Sequence, residues 1–87
     1  MSHEKAFETP DLYLASAIVH LLDKEPSFTL HGTKVFFSFP MSEDLYRAIG
    51  LYNAGVPVNM FEYAVTIKRL RAEMMTRKSI GGTHEQP

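Results

Sequence analysis

Apolar residues recur along this chain at two spacings, one helical and one strand-like. From residue 12 to 22 the run Leu-Tyr-Leu-Ala-Ser-Ala-Ile-Val-His-Leu-Leu is polar only at Ser16 and His20. With Asp23 these follow a four-then-three spacing, a single narrow polar stripe on an otherwise apolar helix. Such a helix must be covered on several sides. Thr9 is the expected cap, Pro10 suits the first helical position, and Asp11 suits the positive end of the helix dipole. Pro26 forces the chain out, so the helix is expected to end near Asp23.

Alternation takes over at residues 27–31 and 34–39: in the first run Phe28 and Leu30 share a face, and in the second Val35, Phe37 and Phe39 share a face. Gly32-Thr33 between them has Gly first, as a tight II′ hairpin turn requires. A lone hairpin is marginal in water, so it needs a helix or a third strand. Ala6-Phe7-Glu8 is the expected extra strand ahead of the first helix. A second helix is predicted over 43–54, capped by Ser42, with Leu45, Ala48, Ile49 and Tyr52 as its buried stripe and Gly55 as a left-handed stop. Val56-Pro57-Val58 reads as a short edge strand or a linker. Asn59 then caps a third helix over 60–77, with Met60, Tyr63, Ile67, Leu70 and Met74 at helical spacing. Phe61, Val65, Ala72 and Met75 widen that apolar face; Glu62, Thr66, Arg69, Glu73 and Thr76 form the polar one. The pattern predicts one α+β domain over residues 6–78 in the order (β)-α-β-β-α-(β)-α, with untethered tails at 1–5 and 79–87. No internal repeat is visible.

Composition narrows the function more than the fold. Eighty-seven residues leave room for one small core. There is no cysteine, which excludes a disulfide scaffold, a thiol nucleophile and a thiolate metal site. No apolar run approaches the ~18 residues of a bilayer span, so no membrane role is expected. The polar start Met1-Ser2-His3-Glu4-Lys5 is not read as a secretory signal, and a cytosolic location is expected. Formal charge is −1, from nine Lys and Arg against ten Asp and Glu. It is unevenly spread: residues 66–87 hold five cations against two carboxylates, and the remainder is acidic.

Those five cations, Lys68, Arg69, Arg71, Arg77 and Lys78, are the candidate nucleic-acid surface. No exposed aromatics are expected among them, and cations at a helix C-terminus also complement the dipole, which is the simpler reading. His3, His20, His31 and His84 show no metal-ligand spacing. Ser16 with His20 lacks a nucleophile elbow, an oxyanion hole and a third member. Glu43-Asp44 fits the first turn of a helix, and the glycines serve turns and a cap rather than a phosphate cradle. No catalytic residue, metal or cofactor is therefore assigned, and the chain is not read as an enzyme. The apolar surface of the helices exceeds what one hairpin covers, which points to a partner. Tyr13, Tyr46, Leu51, Tyr63 and Met74 are the candidate interface residues, because they border the buried stripes or carry a polar tip suited to half-buried rims. The leading expectation is a non-catalytic module that self-associates, as a homodimer, through apolar helix surface. The alternative is a nucleic-acid-binding accessory domain using the basic end of the third helix.

The segment Thr9-Pro10-Asp11-Leu12-Tyr13-Leu14-Ala15 resembles the Thr-x-Asp-Leu-Tyr-Leu-Ala opening of a family of short bacterial and phage domains of unknown function. Phe37-Ser38-Phe39 is similar to the Phe-x-Phe strand that ends that family's hairpin. Tyr52 to Gly55, Val58, Phe61 and Lys68 to Leu70 are similar to its later landmarks, so the resemblance spans most of residues 7–72. It departs at Asp23-Lys24-Glu25-Pro26, where the family has a glycine-containing turn, which leaves the hairpin register open. The resemblance implies the same element order and assigns no activity. Its phage-related occurrence implies a slightly greater weight for a nucleic-acid or host-factor partner.

Overall fold

The computed structural model describes residues 5–83, with side chains through Lys78. Six elements follow one another: β1 (Ala6–Thr9), α1 (Leu12–Leu22), β2 (Ser27–His31), β3 (Lys34–Pro40), α2 (Glu43–Ala54) and α3 (Met60–Thr83). The strands form one antiparallel sheet in the order β1-β3-β2, so the most apolar strand lies in the middle. Val35, Phe37 and Phe39 are buried on one face of β3. Register brings Phe7 beside Phe39, Phe28 beside Phe37 and Leu30 beside Val35 on that same face. The α+β architecture is as the hydrophobic pattern predicts, with the third strand supplied by Ala6–Thr9.

α1 is the hub. It packs on α2, on α3 and on β1, and Ala15, Ser16, Ala17, Ile18 and Val19 are all buried. Three small residues in its middle turn let neighbours approach from several directions. The core joins Ile18 and Val19 to Phe37, Phe39, Leu45 and Leu70. This placement corrects the expected Ser16–His20–Asp23 polar stripe. Ser16 is fully buried, and its hydroxyl has no hydrogen-bond partner. Removing an unpaired buried hydroxyl removes its desolvation cost. Ser16→Ala should therefore raise stability in urea denaturation by up to about 1 kcal/mol. A loss of that size would show that the hydroxyl is bonded after all.

The helix caps show where local rules met tertiary ones. Asp11, not Thr9, caps α1: its Oδ1 accepts from the Tyr13 amide at 3.0 Å and the Leu14 amide at 3.2 Å. Thr9 is held in β1 opposite Phe37, and its hydroxyl accepts from the Asp11 amide instead. Asp23 ends α1 in the left-handed region at φ 57°, a conformation Asp tolerates better than most residues. Ser42 and Asn59 cap α2 and α3 through their side-chain oxygens, as expected. Gly55 at φ 81° closes α2, and the Val56 amide donates to the Leu51 carbonyl.

Two boundaries differ from the sequence reading. Val56-Pro57-Val58 is a linker and not a strand; β1 and β2 already occupy both edges of β3, and Pro57 lacks an amide to donate. α3 runs on from Arg77 to Thr83. A glycine inside a helix costs only about 1 kcal/mol, so Gly81 and Gly82 do not by themselves stop it. Lys5 is also tied in, since its carbonyl accepts from the Met41 amide. Of the expected tails at 1–5 and 79–87, residues 1–4 and 84–87 lie outside the described residues. No helix among the described residues is long and apolar enough to cross a membrane.

Candidate functional site

α3 is apolar on two opposite sides, and only one of them faces the core. Inward, Leu70 is fully buried, while Tyr63, Ile67 and Met74 are half-buried. Tyr63 donates from its hydroxyl to the Tyr13 carbonyl at 2.8 Å, tying α3 to the start of α1. Partial burial holds its phenol above the ordinary range, with Tyr52, Asp11 and Tyr13 adding to the effect. Outward, Phe61, Val65, Lys68, Ala72 and Met75 recur at alternating four and three spacing, a single stripe on a helix. All five are exposed; Phe61 is 75% accessible, and Met60 beside it is 82% accessible.

The basic cluster divides between the two sides. Arg69 grips Glu25, in the α1–β2 connection, through both carboxylate oxygens at 2.6 and 2.9 Å, and also lies 3.8 Å from Glu73. That hydrogen-bonded pair holds the guanidinium firmly charged. Arg77 lies 4.8 Å above the centre of the Phe28 ring, a cation–π contact between α3 and β2. Lys68, Arg71 and Lys78 are exposed and make no ion pair among the described residues; Lys68 sits in the outward stripe with Phe61 and Met75, whereas Arg71 and Lys78 lie beside the stripe, one turn on from the inward Ile67 and Met74. An exposed aromatic, Phe61, therefore shares a face with one of the five cations, Lys68, contrary to expectation. The stripe itself contains no carboxylate; Glu62 and Glu73 lie on the flank that holds Arg69, and Glu62, Asp23 and Glu25 line the groove beside Phe61 and Val65.

The five candidate interface residues do not converge. Tyr13 is exposed at the start of α1, and Tyr63 is spent on its carbonyl. Tyr46 and Leu51 are exposed on opposite flanks of the buried stripe of α2. Met74 packs against the core. Sequence reasoning had assigned Met60, Phe61, Val65 and Met75 to the buried side. The signal that separates them is the second stripe, Phe61-Val65-Ala72-Met75, lying across the helix from Tyr63-Ile67-Leu70-Met74.

Two hollows flank this region. An open groove of about 420 Å³ runs between α1 and α3, lined by Val19, His20, Asp23, Phe61, Val65 and Arg69 among others. A second cavity of about 340 Å³, between the end of α1, the end of β3 and the start of α2, is walled mainly by Ile18, Leu22, Phe39, Pro40 and Leu45. Neither hollow contains a serine beside a histidine, because Ser16 is sealed inside the core. His31 lies on the open face of the sheet, where Nε2 is 2.8 Å from Glu8 Oε1 and the ring meets Phe36 edge-on. His3 and His84 lie outside the described residues. No three His, Asp or Glu side chains come together as metal ligands among the described residues. The arrangement offers an apolar, cationic surface and no convergent reactive groups. No family model matches the chain, and no curated protein or solved structure is significantly similar to it.

Proposed function

We propose that this domain is a non-catalytic interaction module whose outward α3 face docks an acidic, amphipathic protein surface. One observation carries the reading: Phe61, Val65 and Met75 stand exposed on the side of α3 away from Leu70, with Lys68 between them making no ion pair among the described residues. Exposed apolar side chains grouped on one face, with charge of one sign among them, are what a docking surface presents. The cysteine-free chain suits such work in a reducing cytosol.

Charge selects the kind of partner. Packing α3 against α3 of a second copy would bring two copies of Lys68 to one seam with Arg71 and Lys78 at its border, and like charges across an interface are disfavoured. An acidic rim around an apolar stripe complements both parts of the face. Nucleic acid would satisfy the cations, but a phosphate backbone offers nothing to the three apolar side chains.

A fluorescein-labelled synthetic helix with a leucine stripe and glutamate flanks tests the reading by anisotropy. The expected result is saturable binding that weakens as salt rises and loses about tenfold in Phe61→Ala, the equivalent of ~1.4 kcal/mol. The same helix with lysine flanks, and a short DNA duplex, should bind at least tenfold more weakly. Equal binding of the two peptides, or tighter binding of the duplex, would overturn it.

A further inference from the structure

We infer that the outer edge of β2 joins the same edge of a second copy, making a continuous antiparallel sheet in the order β1-β3-β2-β2-β3-β1. This inference does not depend on the α3 reading. It starts from the hydrogen-bond alternation of the hairpin. A two-residue loop makes His31 and Lys34 a hydrogen-bonded pair, so Thr29 with Phe36 and Ser27 with Ser38 are hydrogen-bonded pairs too. The β1 side of β3 agrees with this alternation, because the Met41 amide reaches the Lys5 carbonyl, one step beyond the Phe7–Phe39 pair. Phe28 and Leu30 must then point their amides and carbonyls away from β3. None of these groups finds a partner among the described residues.

The two edges of the sheet differ in how they are guarded. β1 is four residues long and carries Glu8, features that discourage strand addition; a proline flanks each edge strand, Pro10 after β1 and Pro26 before β2. β2 reads Ser-Phe-Thr-Leu-His and contains neither proline nor a permanently charged side chain. Leu30 is 45% exposed although its neighbours on that face are core residues. An apolar side chain at an unpaired edge is what an added strand would cover.

The pattern of β2 fits itself. A two-fold axis at Thr29 sets Phe28 opposite Leu30 of a second copy, and these two exchange N–H and C=O groups in both directions. On the helix side of the sheet, apolar then meets apolar. On the open side, Thr29 faces its own counterpart, and Ser27 faces His31 of the second copy. Arg77 covers the Phe28 ring within each copy, and β2, with no permanently charged side chain, sets no like charges directly opposite one another across the axis. A five-residue strand is a small interface, which implies weak, concentration-dependent association.

Sedimentation equilibrium from micromolar to submillimolar concentration should show the 9.9 kDa chain shifting toward twice its mass. Thr29 lies on the open face, so Thr29→Lys and Thr29→Glu each place like charges across the axis while sparing the core. Each variant alone should weaken association at least tenfold with an unchanged circular dichroism spectrum, and mixing the two should restore it. Phe61→Ala should leave association unaltered. In the wild-type chain, hydrogen exchange at the Phe28 and Leu30 amides should slow with concentration, while the Ala6 and Glu8 amides do not respond. A wild-type chain that stays monomeric, Lys and Glu variants that fail to pair when mixed, or concentration-independent exchange at Phe28 and Leu30 would overturn the proposal.

Discussion

Phe37→Ala is expected to lower the unfolding free energy by about 3–5 kcal/mol. Phe37 is wholly buried on the central strand, with neighbours on both sides: Thr9 on β1 and Phe28 on β2. Its ring packs 5.4 Å from that of Phe28 at a 58° tilt. The loss spreads beyond the cavity, because Phe28 is also the platform for Arg77 and so fastens α3 to the sheet. A chain of this length has a total stability on the order of 4–13 kcal/mol, so the substitution removes a large share of it. The melting temperature should fall on the order of 20 °C. Phe37→Leu, which refills most of the volume, should cost under about 2 kcal/mol. Urea titrations with an unchanged m-value decide the matter. A loss below about 1 kcal/mol for Phe37→Ala would mean that the site collapses freely, and that the Phe28–Phe37 pair does not organise the core.

Most of this frame was legible in the sequence because local signals and the global fold agree. Alternation through Val35, Phe37 and Phe39 located the central strand, and Gly32 located its turn. Ser42, Gly55 and Asn59 act through backbone groups within a few residues of themselves, so their roles follow from spacing alone. Thr9 is different. Its capping potential was real, but pairing with Phe37, distant in sequence, held it in the sheet and passed the cap to Asp11. Ser16 misled for a similar reason: a polar residue at a stripe position is normally solvated, yet α1 is enclosed on several sides.

The candidate site was harder to read than the fold. Apolar residues on a helix announce that something covers them, and not whether the cover is the same chain. Phe61 and Val65 looked like the margin of a broad core face, but the core is small: from α3 it takes in Leu70, with Met74 packed against it, while Phe61 and Val65 stay exposed. The acidic partners of the cations could not be paired in advance either. Arg69 meets Glu25 across 44 positions of sequence, and Arg77 meets Phe28 on another element. With those two engaged, Lys68, Arg71 and Lys78 are the members of the cluster without an ion pair among the described residues.

The two sides of α3 should respond in opposite ways to the same kind of substitution. Leu70→Ala is expected to cost about 2–5 kcal/mol, because Leu70 is fully buried in the core that joins α1 to the sheet. Phe61→Ala removes a larger side chain from the same helix, yet at 75% exposure its effect on stability should stay within about 0.5 kcal/mol. Binding of the glutamate-flanked helix should rank them in reverse: at temperatures where both variants are folded, Phe61→Ala loses affinity and Leu70→Ala keeps it. A stability loss near 2 kcal/mol for Phe61→Ala would place that ring in the core, and the docking face would lose its central anchor. Retained stability together with lost binding would mean that this ring is held in water for a partner, since an exposed phenylalanine contributes little to a fold that does not cover it.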